Sequence, residues 1–139
     1  MIIFYRISDN FQKTVNKNND VITKEKPSYI TKKNCFLNAL DIFGSYEMYI
    51  IADNVRDETY EWLLKQTLDE SRIFRTNIGN GAGTFNIALN IALNLHDDEG
   101  VYFLEDDYLH KKNANLVLEE GLNIGDYVTL YDHPDKYIN

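Results

Sequence analysis

Cysteine is nearly absent from this sequence, which has one, Cys35, among 139 residues. A disulfide within the chain is therefore excluded, and so is a structural zinc site of four cysteines or of two cysteines and two histidines. The sequence also lacks an apolar run near the ~20 residues that a membrane span requires. Its first residues, MIIFYRIS, have neither the basic stretch nor the apolar length of a signal peptide. We therefore expect a soluble, cytoplasmic protein.

Basic residues are scarce as well, with 14 Lys and Arg against 22 Asp and Glu and a net charge of −8. A protein that binds nucleic acid neutralises phosphates with clustered Lys and Arg, and docking on anionic lipid needs similar clusters. This balance argues against both partners. The acidic charge balance does not argue against a single phosphorylated small molecule as ligand, because backbone amides or a metal ion can hold the phosphates.

Core-forming residues, in contrast, are plentiful, at 44% hydrophobic and 13% aromatic, and the length predicts one domain over residues 1–139. Hydrophobic spacing predicts strands that alternate with helices. The strands are predicted at residues 2–7, 48–52, 72–75, 101–104 and 127–131, and the helices at residues 31–43, 57–68, 84–95 and 113–121. Such alternation is typical of a three-layer α/β/α fold with a mostly parallel sheet.

Polar side chains recur where the predicted strands end, and ligands of open parallel sheets bind at that edge. In chain order they are Arg6 and Ser8, Asp53 and Asn54, Arg75 and Asn77, the acidic run at residues 105–107, and Asp132 and His133. The polar segment at residues 8–28 predicts a long loop. A glycine-rich turn at residues 79–83 precedes a predicted helix. Two interpretations stay open: the turn binds an anion at the helix N-terminus, or it is a flexible turn without a ligand.

The acidic run Glu105, Asp106 and Asp107 is the sharpest single feature. Three adjacent carboxylates repel one another, so a positive partner is expected. Mg²⁺ or Mn²⁺ is the natural candidate, because either ion bridges carboxylates and substrate phosphates. The alternative is a solvated acidic turn, since Asp is common in turns. His110, three residues further on, is a candidate additional ligand or else a polar surface residue.

Four segments together resemble the nucleotide-diphospho-sugar glycosyltransferases of the GT-A fold, in particular the family 2-like enzymes. They are IIFYRIS, YIIADN, NIGNGAGTFNIALNIAL and VYFLEDDYLH, which follow the family's order and span nearly the whole chain. The last is similar to the family's strand and Asp-x-Asp metal motif. The resemblance implies a GT-A-like sheet and transfer of a sugar from a nucleotide diphosphate to an acceptor hydroxyl, with Mn²⁺ or Mg²⁺ as cofactor.

The resemblance also implies a donor site, formed by Arg6, Ser8, Asp53, Arg75, Asn86 and Asp106. In it, Asp53 would contact the nucleobase and Asp106 would lie near the ribose. Arg75 and Asn86 would lie near the diphosphate or the donor sugar. Asp107 and Glu105 would take the metal-ligand positions, and Asp107 is the stronger candidate because a glutamate replaces the family's first aspartate.

Family members continue beyond the last predicted strand into a half that carries the acceptor site and, in inverting enzymes, the catalytic base. No base is therefore nominated here. The expected partners are a nucleotide-diphosphate sugar and a glycan or other hydroxyl acceptor. The alternative is a non-catalytic or truncated nucleotide-sugar-binding module that needs a partner or the missing half, and an exposed sheet edge would favour self-association. A nucleotidyltransferase, the third hypothesis, would carry a glycine-rich basic signature where residues 8–28 stand.

Overall fold

The computed structural model describes residues 1–9, 14–15, 21–22, 26–67, 69–131 and 137–138. Its strands are β1 (Ile2–Ser8), β2 (Thr14–Val15), β3 (Val21–Ile22), β4 (Glu47–Asp53), β5 (Ile73–Thr76) and β6 (Val101–Glu105). Its helices are α1 (Lys32–Phe43), α2 (Asp57–Thr67), α3 (Gly81–Ala92) and α4 (Ala114–Leu122), with a 3₁₀ turn at Glu70–Arg72. Asp132 and His133 lie outside the described residues. No helix in the described ranges is long and apolar enough to cross a bilayer.

Four strands form one parallel sheet in the spatial order β5–β4–β1–β6. The first strand of the chain is therefore an inner strand, with β4 on one side and β6 on the other. The chain moves outward from β1 to β4 and β5, and then returns past β1 to form β6. This reversal is a topological switch point, where a crevice opens beyond the carboxyl ends of the strands. The predicted α/β architecture with a largely parallel sheet is confirmed.

Strand β1 is apolar on both faces because helices cover both faces of the sheet. Ile3, Tyr5 and Ile7 belong to the larger core cluster, to which α1, α2 and α4 contribute. Ile2 and Phe4 belong to a smaller cluster that packs against α3 on the opposite face. The continuous hydrophobic run in the sequence therefore reflects burial on two sides, and the polar residues of the site begin where this burial ends.

The predicted fifth strand at residues 127–131 is wrong, since this segment pairs with no strand in the described part of the chain. Val128 and Leu130 still pack against the larger core cluster. The residues on either side of them are exposed. Every second side chain of this segment is thus partly buried although its backbone pairs with no strand, and the alternating sequence pattern reflects this partial burial.

Two local predictions also change in the structure. Of the long loop predicted at residues 8–28, the structure describes residues 8–9, 14–15, 21–22 and 26–28, and the rest lies outside the described residues. Within the described part, Thr14 stands opposite Ile22 in a short antiparallel pair of β2 and β3. Helix α3 begins at Gly81, earlier than the predicted residue 84, because the Asn80 side chain accepts a hydrogen bond from the Gly83 amide at 2.8 Å. The glycine-rich stretch therefore supplies the first turn of a capped helix.

Candidate functional site

The acidic triplet, residues 105–107, lies at the switch point, where β6 ends beside β1. Glu105 is the last residue of β6 and stands opposite Arg6 in the parallel register. Asp106 and Asp107 form the turn that follows. The carboxyl ends of neighbouring parallel strands meet at one edge of the sheet, so these side chains share that edge with the end of β1.

Arg6 joins three elements at this edge. It forms an ion pair with Glu105 and donates hydrogen bonds to the Gly81 carbonyl at 2.7 Å and the Thr84 hydroxyl at 3.3 Å. Its guanidinium also lies over the Phe85 ring, 5.5 Å from the centroid. The side chain is only 14% exposed. Arg6 therefore fastens the acidic triplet to the first turn of α3 and has little freedom to change partners.

Asp106 is paired with Lys32, the first residue of α1, and Asp107 with Lys26, which precedes this helix. Lys32 Nζ lies 2.7 Å from Asp106 Oδ2, which also accepts a hydrogen bond from the Ser8 amide at 2.9 Å. Lys26 Nζ lies 2.8 Å from Asp107 Oδ2. Partial burial favours a lower pKa for Lys26, but the hydrogen bond to Asp107 outweighs it and raises that pKa above its ordinary value. Cations of the chain itself therefore balance the repulsion expected within the triplet.

Among the described residues, four buried polar atoms have no hydrogen-bond partner, namely Asp107 Oδ1, Arg6 Nε, His110 Nδ1 and the Tyr5 hydroxyl. Burial, followed by the charges of Asp106, Cys35 and Asp107, raises the pKa of Tyr5 far above its ordinary value, so the phenol is neutral. A buried polar atom without a partner costs roughly 1–3 kcal/mol. Such atoms are usually hydrogen-bonded to water or to a bound ligand.

The oxygen donors of the acidic triplet meet only part of what a divalent metal requires. Within the described ranges, no three His, Cys, Asp or Glu side chains are grouped so that they could hold a metal ion. Mg²⁺, however, commonly uses one or two carboxylates together with substrate phosphates. The unpartnered Asp107 Oδ1 is a hard oxygen donor suited to that arrangement. The residues therefore fit a metal shared with a phosphorylated ligand, and they do not fit a cage built by the protein alone.

A cavity of about 340 Å³ opens between the N-terminal ends of α1 and α2, beyond the carboxyl end of β1. Its lining residues are Ile7, Asp9, Thr31, Lys32, Lys33, Arg56, Thr59 and Trp62. Three of them are cationic, and helix N-termini add partial positive charge. Because Lys32 both lines the cavity and pairs with Asp106, the cavity and the acidic triplet meet at this side chain.

Asp9 lines this cavity and is not among the site residues predicted from the sequence. Its Oδ2 accepts hydrogen bonds from the Arg56 amide at 2.7 Å and from the Thr59 hydroxyl at 2.9 Å. Partial burial opposes ionisation, but the hydrogen bonds from Arg56 and Thr59 lower the pKa of Asp9 below its ordinary value. Asp9 therefore caps the N-terminus of α2 from 47 residues away. Its position just after a predicted strand was the only signal in the sequence.

Asp53 is buried, with 4% of its surface exposed. Its Oδ1 accepts hydrogen bonds from the Thr76 hydroxyl at 2.9 Å and the Ile78 amide at 2.6 Å. Its Oδ2 accepts from the Gly79 amide at 2.9 Å. Gly79 has φ +80°, a conformation that glycine adopts without strain. Asp53 thus holds the turn between β5 and α3 in shape, and its contact with a nucleobase stays a prediction.

Arg75 and Asn86, expected near one donor group, lie on opposite faces of the sheet. Arg75 donates to the Val55 carbonyl at 3.0 Å and to Asp57 Oδ1 at 2.6 Å. Its guanidinium lies over the Tyr60 ring of α2, 5.0 Å from the centroid. Asn86 is exposed on α3, which packs on the other face. The structure therefore does not bring these two residues together.

His110, the candidate additional metal ligand, is held in packing contacts. Its Nε2 lies 3.0 Å from the Tyr102 hydroxyl, and its ring packs edge-on against Phe43 with 5.0 Å between centroids. Its backbone amide donates to Asn38 Oδ1 at 2.6 Å. Burial lowers the pKa of His110, so the ring is neutral at pH 7. These contacts fix His110 between β6 and α1.

The comparisons with known proteins supply no relative for this chain. No protein-family model matches it, and neither a curated protein nor a solved structure does. The fold itself defines the class, an α/β protein with a four-stranded parallel sheet and a switch point beside its first strand. Any function must therefore be argued from the residues at that edge.

Proposed function

We propose that this chain binds a nucleotide-diphosphate sugar at the carboxyl ends of β1 and β6 and transfers the sugar to an acceptor hydroxyl. The observation that carries the proposal is the meeting, at the switch point, of the acidic triplet, two lysines and a cavity of about 340 Å³. Pockets for small ligands usually have ~300–1,000 Å³ and a few convergent polar groups. The order of the four sequence segments in the resemblance supports the same assignment.

The charged residues of the site suit a diphosphate and its counter-ion. Lys26 and Lys32 present ammonium groups at the edge of the sheet, and lysine is a common phosphate-binding residue. Asp107, with Asp106 beside it, would hold Mn²⁺ or Mg²⁺. When bound, the metal would neutralise charge that develops on the leaving diphosphate.

The cavity suits the remainder of the donor. Ile7 and Trp62 offer apolar surface, and Lys33 lies over the Trp62 ring, 5.4 Å from its centroid. Trp62 would stack on a planar base in place of the Lys33 ammonium, which would move aside on its flexible stem. Arg56 and Lys33 add positive charge beside it. We therefore place the nucleoside toward this cavity and the diphosphate toward the triplet.

Thermal unfolding with nucleoside diphosphates tests this assignment directly. The protein is heated with the diphosphates of uridine, guanosine, adenosine, cytidine and thymidine, each with and without Mn²⁺. A ligand at ~100 times its Kd adds roughly 2.7 kcal/mol, which raises Tm by roughly 8 °C for a chain of this size. We expect such a shift for one nucleotide, dependent on Mn²⁺ and lost in Asp107→Asn.

The matched control is Asp98→Asn, which makes the same charge change at a side chain that is 94% exposed near the opposite edge of the sheet. This variant should keep the shift. No stabilisation of the wild-type protein by any of the five nucleotides would refute the proposed function.

The second candidate function, a binding module without catalysis, is favoured by one observation. Among the cavity-lining residues that the structure describes, Asp9 is the only carboxylate. Its oxygens are engaged by Arg56 and Thr59, and its pKa is lowered, which makes it a poor general base. Donor hydrolysis or sugar transfer that depends on Mn²⁺ and is lost in Asp107→Asn would support the enzyme. Binding without turnover would support the module.

A further inference from the structure

The lysines on the acidic triplet differ from its arginine in how firmly they are held. Lys26 is 46% exposed and Lys32 is 25% exposed, whereas Arg6 is 14% exposed and has partners in two other elements, β6 and α3. Lysine is a compact charge on a flexible stem, and an exposed lysine ion pair contributes little stability. Lys26 can therefore exchange partners at small cost, and Lys32, whose pair with Asp106 is more buried, at a larger cost that is still below that of Arg6 with its several simultaneous contacts.

Lys26 lies where it would repel any cation that approaches the triplet. Its ammonium lies 2.8 Å from Asp107 Oδ2, and the unpartnered atom of the same carboxylate is Oδ1. A divalent ion on Oδ1 would lie close to this ammonium, and like charges at such a separation repel. A diphosphate removes the conflict, because its several negative charges can neutralise the ion and the lysine together.

We infer that Lys26 and Lys32 are exchangeable counter-ions that keep divalent cations off the triplet until a phosphorylated ligand takes both ammonium groups. This inference rests on the proposed function and deepens it, since it assigns to two lysines both the phosphate contact and the order of binding. Cation and nucleotide then bind with positive coupling, and by linkage each raises the affinity of the other by the same factor.

Mn²⁺ titrations followed by the electron paramagnetic resonance of the free ion test this coupling. The proteins are the wild type, Lys26→Met, Lys32→Met and the control Lys65→Met, which removes a lysine from the last turn of α2. We expect Lys26→Met to bind Mn²⁺ alone roughly fivefold more tightly than the wild type, the upper range for an exposed ion pair. In the presence of Mn²⁺, Lys26→Met and Lys32→Met should each bind the stabilising nucleoside diphosphate roughly fivefold more weakly.

The outcomes separate this inference from the proposed function. If the wild type binds a nucleotide with Mn²⁺ while Lys26→Met and Lys32→Met match Lys65→Met in both titrations, the counter-ion inference is wrong and the function stands. If Lys26→Met gains Mn²⁺ affinity but no protein binds any nucleotide, the proposed function fails and the phosphate part of the inference fails with it. Absence of Mn²⁺ binding by the wild type and the lysine variants alike, both without and with each nucleoside diphosphate, overturns both.

Discussion

Replacement of Asp53 by asparagine tests whether this carboxylate shapes the turn before α3. The substitution keeps the size of the side chain but exchanges one acceptor oxygen for an NH₂ donor. Both oxygens of Asp53 accept hydrogen bonds from donors, including the amides of Ile78 at 2.6 Å and Gly79 at 2.9 Å. In either orientation of the new side-chain amide, its NH₂ group would therefore face the backbone N–H of Ile78 or of Gly79.

The size of the effect follows from these contacts and from burial. A hydrogen bond to a charged group contributes about 1.5–3 kcal/mol, and a buried donor left without an acceptor adds a penalty of the same order. Asp53 is 4% exposed, so water can replace few of the hydrogen bonds that are lost. We expect Asp53→Asn to lower the free energy of unfolding by about 2–4 kcal/mol, out of the ~5–15 kcal/mol typical of a whole domain.

Urea unfolding followed by circular dichroism measures this difference, and Asp98→Asn controls for the change in net charge. The slope of the transition should stay the same, because the surface exposed on unfolding does not change. A result for Asp53→Asn within 0.5 kcal/mol of the control would refute the structural role. In that case the carboxylate would be free for the nucleobase contact expected from the resemblance.

Three further predictions concern the same edge of the sheet. Arg6→Lys should cost about 2 kcal/mol in urea unfolding, because an ammonium cannot reproduce the guanidinium's simultaneous contacts; an unchanged midpoint would contradict this. Asp9→Asn should cost about 1 kcal/mol at pH 7, because the amide keeps one acceptor oxygen but loses the charge that strengthens the hydrogen bonds from Arg56 and Thr59. Since folding lowers the pKa of Asp9, its contribution is present above the unfolded pKa of ~3.9 and is lost as pH falls through the folded value, so the two proteins should converge in acid unfolding curves below about pH 4. A difference that is constant from pH 7 to pH 2 would exclude this linkage. Gly79→Ala should cost about 1 kcal/mol in thermal unfolding because φ is +80°, whereas Gly125→Ala, with only ordinary contacts, should be near neutral; equal losses would argue against backbone strain.

Several features of the fold could be predicted because their causes are local. The apolar run of β1, the 3.6-residue spacing in α1 and the glycine that follows this helix depend on neighbours a few residues apart. The acidic triplet could be placed at the end of a strand by the same reasoning, because burial stops where the carboxylates begin. These patterns also predicted the alternation of strands and helices, and with it the parallel sheet.

Other features depend on contacts between distant parts of the chain. Residues 127–131 alternate as a strand does, yet pairing requires an open strand edge in register, which no local pattern can specify. Likewise, Arg75 and Asn86 stand eleven positions apart in the sequence, but the switch point sends α2 and α3 to opposite faces. The predicted start of α3 was wrong for a more local reason. Glycines are weak helix formers, so the sequence pattern does not indicate the first turn, which the Asn80 cap initiates.

By itself, the sequence determined the class of fold, the buried central strand and the edge at which polar and acidic side chains collect, because hydrophobic periodicity and composition act locally. Only the tertiary structure decided which charges meet at that edge. Lys26 and Lys32 reach the triplet across 81 and 74 residues, and Arg6 reaches it across 99. Ion pairs over such separations exist only after the strands have assembled, since their geometry comes from the order of β1 and β6 in the sheet and not from spacing along the chain.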